Sequence, residues 1–425
     1  MRVLVVSTLY PPAAIGGYEL ECASVVGHLA RRHELLVLSS VGAKRGERRA
    51  VEMANSVEIR RELALLTPDA KGALRAPGAS LRAVVAARRA LAWDPDLIYC
   101  WNGAGIPHAA LRVLADSGVP LAFRVCEHWF GGLFVRDQFL RELLPMKRGP
   151  AEAAWAGACR ALNLLPSLRL QPTAPVRTAI SWNSEALRAM VQPPRFIEAV
   201  LERMDHAVPP YGDLYAAVER RPSEEPQIAF VGRITPYKGV AVAIEALALL
   251  RSQHDISARL LLAGPEEPTH VRELRLLAER LGVSEQLQWL GPMAPEGVAE
   301  LLASASAMIV PSTWDEPLGL VTIEGAFARV PLVASDVGGI GEAMNDEEHA
   351  LLFPRGDAAA AAAALARTLR EREQTTARVQ RAFERAQSFR LGPYLEKQER
   401  FVLDALTALT GGGDREAAPQ GLSSP

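Results

Sequence analysis

The stretch Ile228-Ala229-Phe230-Val231-Gly232-Arg233-Ile234-Thr235-Pro236-Tyr237-Lys238-Gly239 reads as a buried strand that turns directly into a helix. Four consecutive apolar residues suit a strand covered on both faces. From Val240 to Arg251 the apolar residues return at helical spacing. Between the two lie Arg233 and Lys238. An arginine fork and a lysine point charge at a strand-to-helix turn can hold a diphosphate.

The same unit recurs on either side. Downstream, strands are expected at Arg259–Ala263, Leu287–Leu290, Ala307–Val310 and Leu332–Ala334, with helices at Val271–Leu281, Glu296–Ala303 and Gly319–Arg329. Upstream, strands are expected at Arg2–Val6, Leu35–Leu38, Leu97–Cys100, Pro120–Val125 and Thr178–Ser181, with helices at Tyr18–Arg32, Ser80–Ala92 and Ala109–Asp116. Strands alternating with helices define an α/β protein with parallel sheets. At 425 residues the chain suits two domains. The fold class expected is two Rossmann-like doubly wound domains facing across a cleft. Their boundaries are read as 1–208, a Pro-rich linker 209–226, and 227–389. An amphipathic segment at about 390–410 is expected to return to the first domain, and 411–425 is read as a disordered tail.

Ligands in such folds bind beyond the carboxyl ends of the strands, which directs attention to Pro311-Ser312-Thr313-Trp314-Asp315-Glu316-Pro317-Leu318-Gly319-Leu320-Val321-Thr322-Ile323-Glu324. Gly319 opens a helix whose first free N–H groups, at Leu320 and Val321, favour phosphate oxygens by geometry and dipole. Glu316 before that helix and Glu324 inside it are carboxylates able to grip hydroxyl groups. Paired carboxylates also serve glycoside hydrolysis, but that reading leaves Arg233 and Lys238 without a use.

Composition narrows the classes. A net charge of −2 gives no basic excess for nucleic acid. The four cysteines, Cys22, Cys100, Cys126 and Cys159, form no CxxC pair, so neither a zinc site nor a disulfide framework is suggested. No metal site is expected. Asp94-Pro95-Asp96 precedes its strand instead of following it and is read as a turn. The N-terminal apolar run is too short for a signal peptide, and a reducing cytoplasm is expected. The stretch 136–177 carries Arg141, Lys147, Arg148, Arg160, Arg169 and Arg177 beside Trp155 and many leucines. Such a stretch can lie on an anionic membrane at the inner face. A helical hairpin with a solvated face is the favoured reading.

Taken in order, Gly-Arg-x4-Lys-Gly, Leu-Leu-Ala-Gly, Leu-Gly-Pro, Val-Pro-Ser, Glu-x7-Glu and Val337-Gly338-Gly339-Ile340-Gly341-Glu342 resemble the retaining glycosyltransferases of family four, which have the GT-B fold. The likeness is dense from Ile228 to Pro354 and thins at Gly42–Ser80 and Gly131–Pro175. It implies a glycosyltransferase that moves a sugar from a nucleoside-diphosphate sugar to an acceptor hydroxyl, with retention and with no cofactor or metal. Arg233 and Lys238 would neutralise the diphosphate, Glu316 would contact the donor sugar, and Glu324 the ribose. Pro317, Leu318, Gly319, Leu320 and Val321 would face the phosphates, and Gly291 and Met293 the base.

In the first half, Gly16-Gly17 would form a donor- and acceptor-facing loop. Many relatives carry His-Asp-x-Trp where this chain has Cys126-Glu127-His128-Trp129. His128 is displaced by two residues from the usual sugar contact, and either it or the backbone near Cys126 would serve. Glu127 keeps double displacement open, whereas same-face substitution fits the family. A nucleotide-sugar epimerase, a phosphorylase and a non-catalytic nucleotide-sugar binder are the rival readings. The base, the sugar, the acceptor and the oligomeric state are not written in these residues.

Overall fold

A computed structural model of the chain describes residues 1–13, 16–41, 51–54, 56–66, 70–133 and 171–411. The basic stretch from Arg141 to Arg169 with Trp155, Cys159, and the tail from residue 412 onward lie outside the described residues. The chain divides into two compact units. One comprises Met1–Trp182, Val191–Arg203 and Glu396–Pro425; the other Asn183–Met190 and Met204–Leu395.

The first unit is built on eight strands: β1 (Arg2–Ser7), β2 (Glu34–Ser40), β3 (Val51–Ala54), β4 (Val57–Leu63), β5 (Leu97–Asn102), β6 (Leu121–Val125), β7 (Val176–Trp182) and β8 (Ile197–Met204). They lie in the order β3-β4-β2-β1-β5-β6-β7-β8. From β4 to β7 every pairing is parallel, and β3 runs antiparallel to β4. Val3, Leu4, Val5 and Val6 are buried, as are all six residues of β5. That two-sided burial explains their continuous apolar character. The C-terminal helix Leu391–Thr410 packs on this unit from Glu396 onward. Glu399 pairs with His28 at 2.9 Å and Arg32 at 3.0 Å, while Tyr99 donates to Gln398 at 2.6 Å.

The second unit holds β9 (Gln227–Val231), β10 (Arg259–Ala263), β11 (Leu287–Gly291), β12 (Ala307–Val310), β13 (Leu332–Ser335) and β14 (Leu351–Phe353). Their order, β11-β10-β9-β12-β13-β14, is parallel throughout. Both sheets therefore share the doubly wound 3-2-1-4-5-6 arrangement, once the edge strands β3 and β8 of the first are set aside. Strand order reverses between β1 and β5 in one sheet and between β9 and β12 in the other. Those reversals are where such folds open a crevice for ligands. Helices cover the second sheet, and Ile244, Leu247, Leu260, Leu262, Ile309 and Val333 meet in its core.

The residues read as a linker contain a short helix, Gly212–Ala217, whose Tyr215 is buried. The helix expected at Ser80–Ala92 runs from Ala70 to Leu91 and takes in Pro77 and Gly78. Among the described residues, no helix is long and apolar enough to cross a membrane.

Candidate functional site

The loops that follow β9 and β12 are laced together at the reversal point of the second sheet. Gly232 N–H donates to the Ala263 carbonyl at 2.9 Å, and Gly264 N–H to the Gly291 carbonyl at 2.8 Å. The glycines ending β9, β10 and β11 thus stitch three strand ends into one rim. A Cβ on Gly264 would stand 1.9 Å from the Gly232 carbonyl oxygen, so only glycine fits. On the other side, Thr313 N–H donates to the Tyr237 carbonyl at 2.9 Å. Gly239 has φ +71° and no room for a side chain, since its Cβ would lie 1.8 Å from the Pro311 carbonyl oxygen.

This lacing brings Lys238 and Glu316, far apart in sequence, into contact. Lys238 Nζ donates to Glu316 Oε1 at 2.6 Å, and Ser312 Oγ donates to the same oxygen at 2.5 Å. Ser312 is itself held through its carbonyl, which accepts from Ser335 Oγ at 2.7 Å. Lys238 lies 5.5 Å from the Trp314 ring, Trp314 meets Tyr237 edge-on at 5.4 Å, and Arg233 sits 5.6 Å from Tyr237. Two cations are thereby ranged along two aromatic rings. Arg233 is exposed and has no ion pair among the described residues.

Gly319, at φ +78°, caps the helix Leu320–Phe327, with its Cα pressed against Ile340. Its carbonyl accepts from Thr322 N at 2.9 Å, which sets the first turn. The N–H groups at Leu320 and Val321 fall in that turn, where the helix supplies no partner. Pro317 and buried Leu318 complete the approach. Glu324 lies one turn in, half-buried, with no side-chain hydrogen bond among the described residues. Burial pushes its carboxyl up to about 7. Tyr215 stands beside it: burial first, then the Glu324 charge, raises that phenol. The Tyr215 helix is seated on the Glu324 helix where Gly212 meets the Phe327 ring. Gly291, at φ +66°, faces open space, and Met293 follows it beside Gly297.

A second glycine pair closes the site from behind. Gly339 N–H donates to the Glu316 carbonyl at 2.8 Å, and a Cβ on Gly338 would stand 2.1 Å from that oxygen. Ser312 and Gly338-Gly339 fall in the ordered motifs, but their contacts with Glu316, like the place of Tyr215 beside Glu324, depend on long-range packing that spacing does not signal.

Gly16, Gly17 and His128 belong to the first unit. Gly16 follows β1, caps the helix Gly17–Leu29 and faces open space: a Cβ there would meet nothing within 4 Å. Gly16 N–H donates to Glu19 at 3.0 Å. His128 follows β6, opens a short 3-10 turn and is partly buried. Next to it, Trp129 packs against Gly103, whose Cβ would come 2.7 Å from the ring. Cys126 is buried, its thiol pushed well up by desolvation. Tyr18 donates to the Arg124 carbonyl at 2.7 Å, and Arg124 pairs with Glu21 at 3.2 Å in the buried core. Asp94 and Asp96 are occupied by Arg2, whose backbone N–H donates to Asp96 at 2.7 Å and whose guanidinium donates to Asp94 at 3.2 Å. They form the turn expected of them.

Residues 213–385 match the family described as glycosyl transferases group 1. That span holds every motif from Gly232 to Glu342 on which the family-four resemblance rests. D-inositol 3-phosphate glycosyltransferase of Corynebacterium efficiens is 36% identical over 190 residues, covering 44% of each chain. The Nocardia farcinica protein of that name is 36% identical over 154 residues, 35% of this chain and 34% of its own. The chain thus spans less than half the length of these curated relatives.

Sucrose-phosphate synthase from Thermosynechococcus elongatus superposes with a TM-score of 0.71 at 18% identity, covering 96% of this chain and 99% of that one. Anabaena HepE in complex with UDP and glucose gives 0.63 at 19% identity, over 95% of this chain and 100% of that one. The fold is GT-B, with two sheets of mostly parallel strands flanked by helices.

Proposed function

We propose that the chain is a retaining glycosyltransferase that moves a sugar from a nucleoside-diphosphate sugar to an acceptor hydroxyl without a metal ion. One observation carries the reading. At the reversal point of the second sheet, Lys238 is paired with Glu316 at 2.6 Å, while Arg233 and Glu324 stand without ion-pair or hydrogen-bond partners among the described residues. A cation on the loop after β9 and a carboxylate one turn into the helix after β12, both left free among the described residues, fit a diphosphate and a ribose diol.

In the proposed reaction the bond between the anomeric carbon and the leaving phosphate oxygen breaks. The acceptor oxygen adds on the same face of the sugar, and its proton passes to the departing diphosphate. Negative charge grows on that diphosphate, where Arg233, Lys238 and the helix start at Leu320 would stabilise it. Glu316 would orient the sugar hydroxyls and Glu324 the ribose. In the first unit, Gly16 and Gly17 would face the donor phosphates and the acceptor, and His128 would contact the donor sugar.

UDP sugars are the first donors to test, because HepE was solved with UDP and with UDP-glucose. Inositol 3-phosphate is the first acceptor, because the curated relatives are named for it. The experiment is a thermal-shift screen of UDP, GDP, ADP and dTDP sugars, followed by NMR of the product anomer. A saturating donor raises the melting temperature by mass action. An inverted product rejects retention; isomerised donor without acceptor points to an epimerase.

A further inference from the structure

The segment Asn183–Met190 lies between β7 and β8, which belong to the first unit, yet is itself part of the second. Glu342 fixes it there. Its carboxylate accepts from the backbone N–H of Glu185 at 3.1 Å and of Ala186 at 3.2 Å, and meets His206 Nε2 at 2.7 Å. Ser184 caps the same short turn by accepting from Leu187 N–H at 2.9 Å. The Ser184 hydroxyl then donates to the Pro317 carbonyl. Asn183 Oδ1 accepts from Ala207 N–H at 2.7 Å, so the residues flanking His206 are pinned as well.

The donor loop is thus held at two consecutive carbonyls. Glu316 O takes the Gly339 N–H, and Pro317 O takes the Ser184 hydroxyl. Glu342 adjoins both anchors. It lies three residues beyond Gly339 in the helix Ile340–Ala343, and it holds the turn that carries Ser184. The backbone here is tied down in turn, since Arg385 donates to the carbonyls of Glu342 at 3.1 Å and Ala343 at 3.3 Å. A carboxylate suits the post because its two oxygens accept all three donors. A glutamine offers one acceptor oxygen and must release at least one of them.

We infer that Glu342 is a positioning residue for the donor loop Glu316–Gly319, acting through the Ser184 turn, so that the sugar-facing carboxylate and the helix start are set before donor binds. This rests on the function proposed above. It places the control of Glu316 in a residue that does not touch the donor.

The test is hydrogen exchange by mass spectrometry on the full chain, comparing wild type with Glu342→Gln and, separately, Ser184→Ala. Exchange at Leu318–Val321 is expected to quicken about tenfold or more in both variants, as local opening becomes easier, while β9 stays within about twofold. In turnover, kcat falls about tenfold with the donor KM within about threefold, the pattern of a lost transition-state contact. Unchanged exchange at Leu318–Val321 in both variants, or an equal rise in every peptide, overturns the inference. Wild-type protein that binds no nucleotide sugar refutes the proposed function instead, and the exchange result still decides the positioning role.

Discussion

Replacing Lys238 with methionine removes one cation and keeps most of the side chain's bulk. The Lys238 side chain is 20% exposed and that of Glu316 7%. Stripping one partner from a fully buried ion pair costs about 3–5 kcal/mol, whereas exposed pairs contribute roughly 0–1 kcal/mol. This pair lies between those limits, and Glu316 keeps Ser312 as a donor at 2.5 Å. A loss of about 1–3 kcal/mol in stability is therefore expected. The effect on turnover should be larger, because Lys238 would face charge that grows as the diphosphate leaves. Removal of one preorganised donor from such a site lowers kcat by about 10²–10³.

The assay is a double-mutant cycle of Lys238→Met and Glu316→Gln, with urea unfolding followed by tryptophan fluorescence. Trp314 packs against Tyr237 beside Lys238, so it reports on this unit. A coupling of about 1–2 kcal/mol is expected, since residues in direct contact do not add. Additivity within about 0.3 kcal/mol, together with kcat within about threefold of wild type, would refute the reasoning.

Other outcomes follow from the same geometry. Gly239→Ala should cost about 2–4 kcal/mol, from left-handed backbone plus a Cβ driven into the Pro311 carbonyl, and should show in the unfolding midpoint. Glu324, with its carboxyl at about 7, offers both oxygens as acceptors to the ribose hydroxyls only when ionised, since protonation turns one of them into a donor. Nucleotide affinity by titration calorimetry should therefore weaken toward tenfold per unit as pH falls below about 7, and Glu324→Gln should flatten that dependence. Glu342 is held below its ordinary 4.5: burial opposes this, but His206 and the Glu185 and Ala186 N–H groups outweigh it. Its stabilisation should be complete above 4.5 and lost as pH falls through the lowered value, and Glu342→Gln should remove that part of the acid transition. A chelator should leave turnover unchanged, because the proposed site assigns the diphosphate to protein cations; a loss restored by magnesium would contradict this.

Much of the fold was legible because parallel strands buried on both faces must be continuous apolar runs. Ile228–Val231, Arg259–Ala263 and Ala307–Val310 could be read almost to the residue for that reason. The edge was not. β3, Val51–Ala54, is exposed at every position, and β8, Ile197–Met204, mixes glutamates with apolar residues, so neither offers a burial pattern. In the site, residue types at strand ends were visible, since glycines, cations and carboxylates recur there for stated chemical reasons. Their partnerships were not. The pairing of Lys238 with Glu316, 78 residues apart, comes from the order of strands in the second sheet, and the reach of Glu342 to Ala186, 156 residues away, from the return of Asn183–Met190 to that unit.

The most direct test is the structure of the chain bound to its nucleotide sugar. The diphosphate is expected on Arg233, Lys238 and the N–H groups at Leu320 and Val321, with the ribose on Glu324 and the sugar against Glu316. A nucleotide seated away from the ends of β9 and β12, touching none of these side chains, would contradict the account.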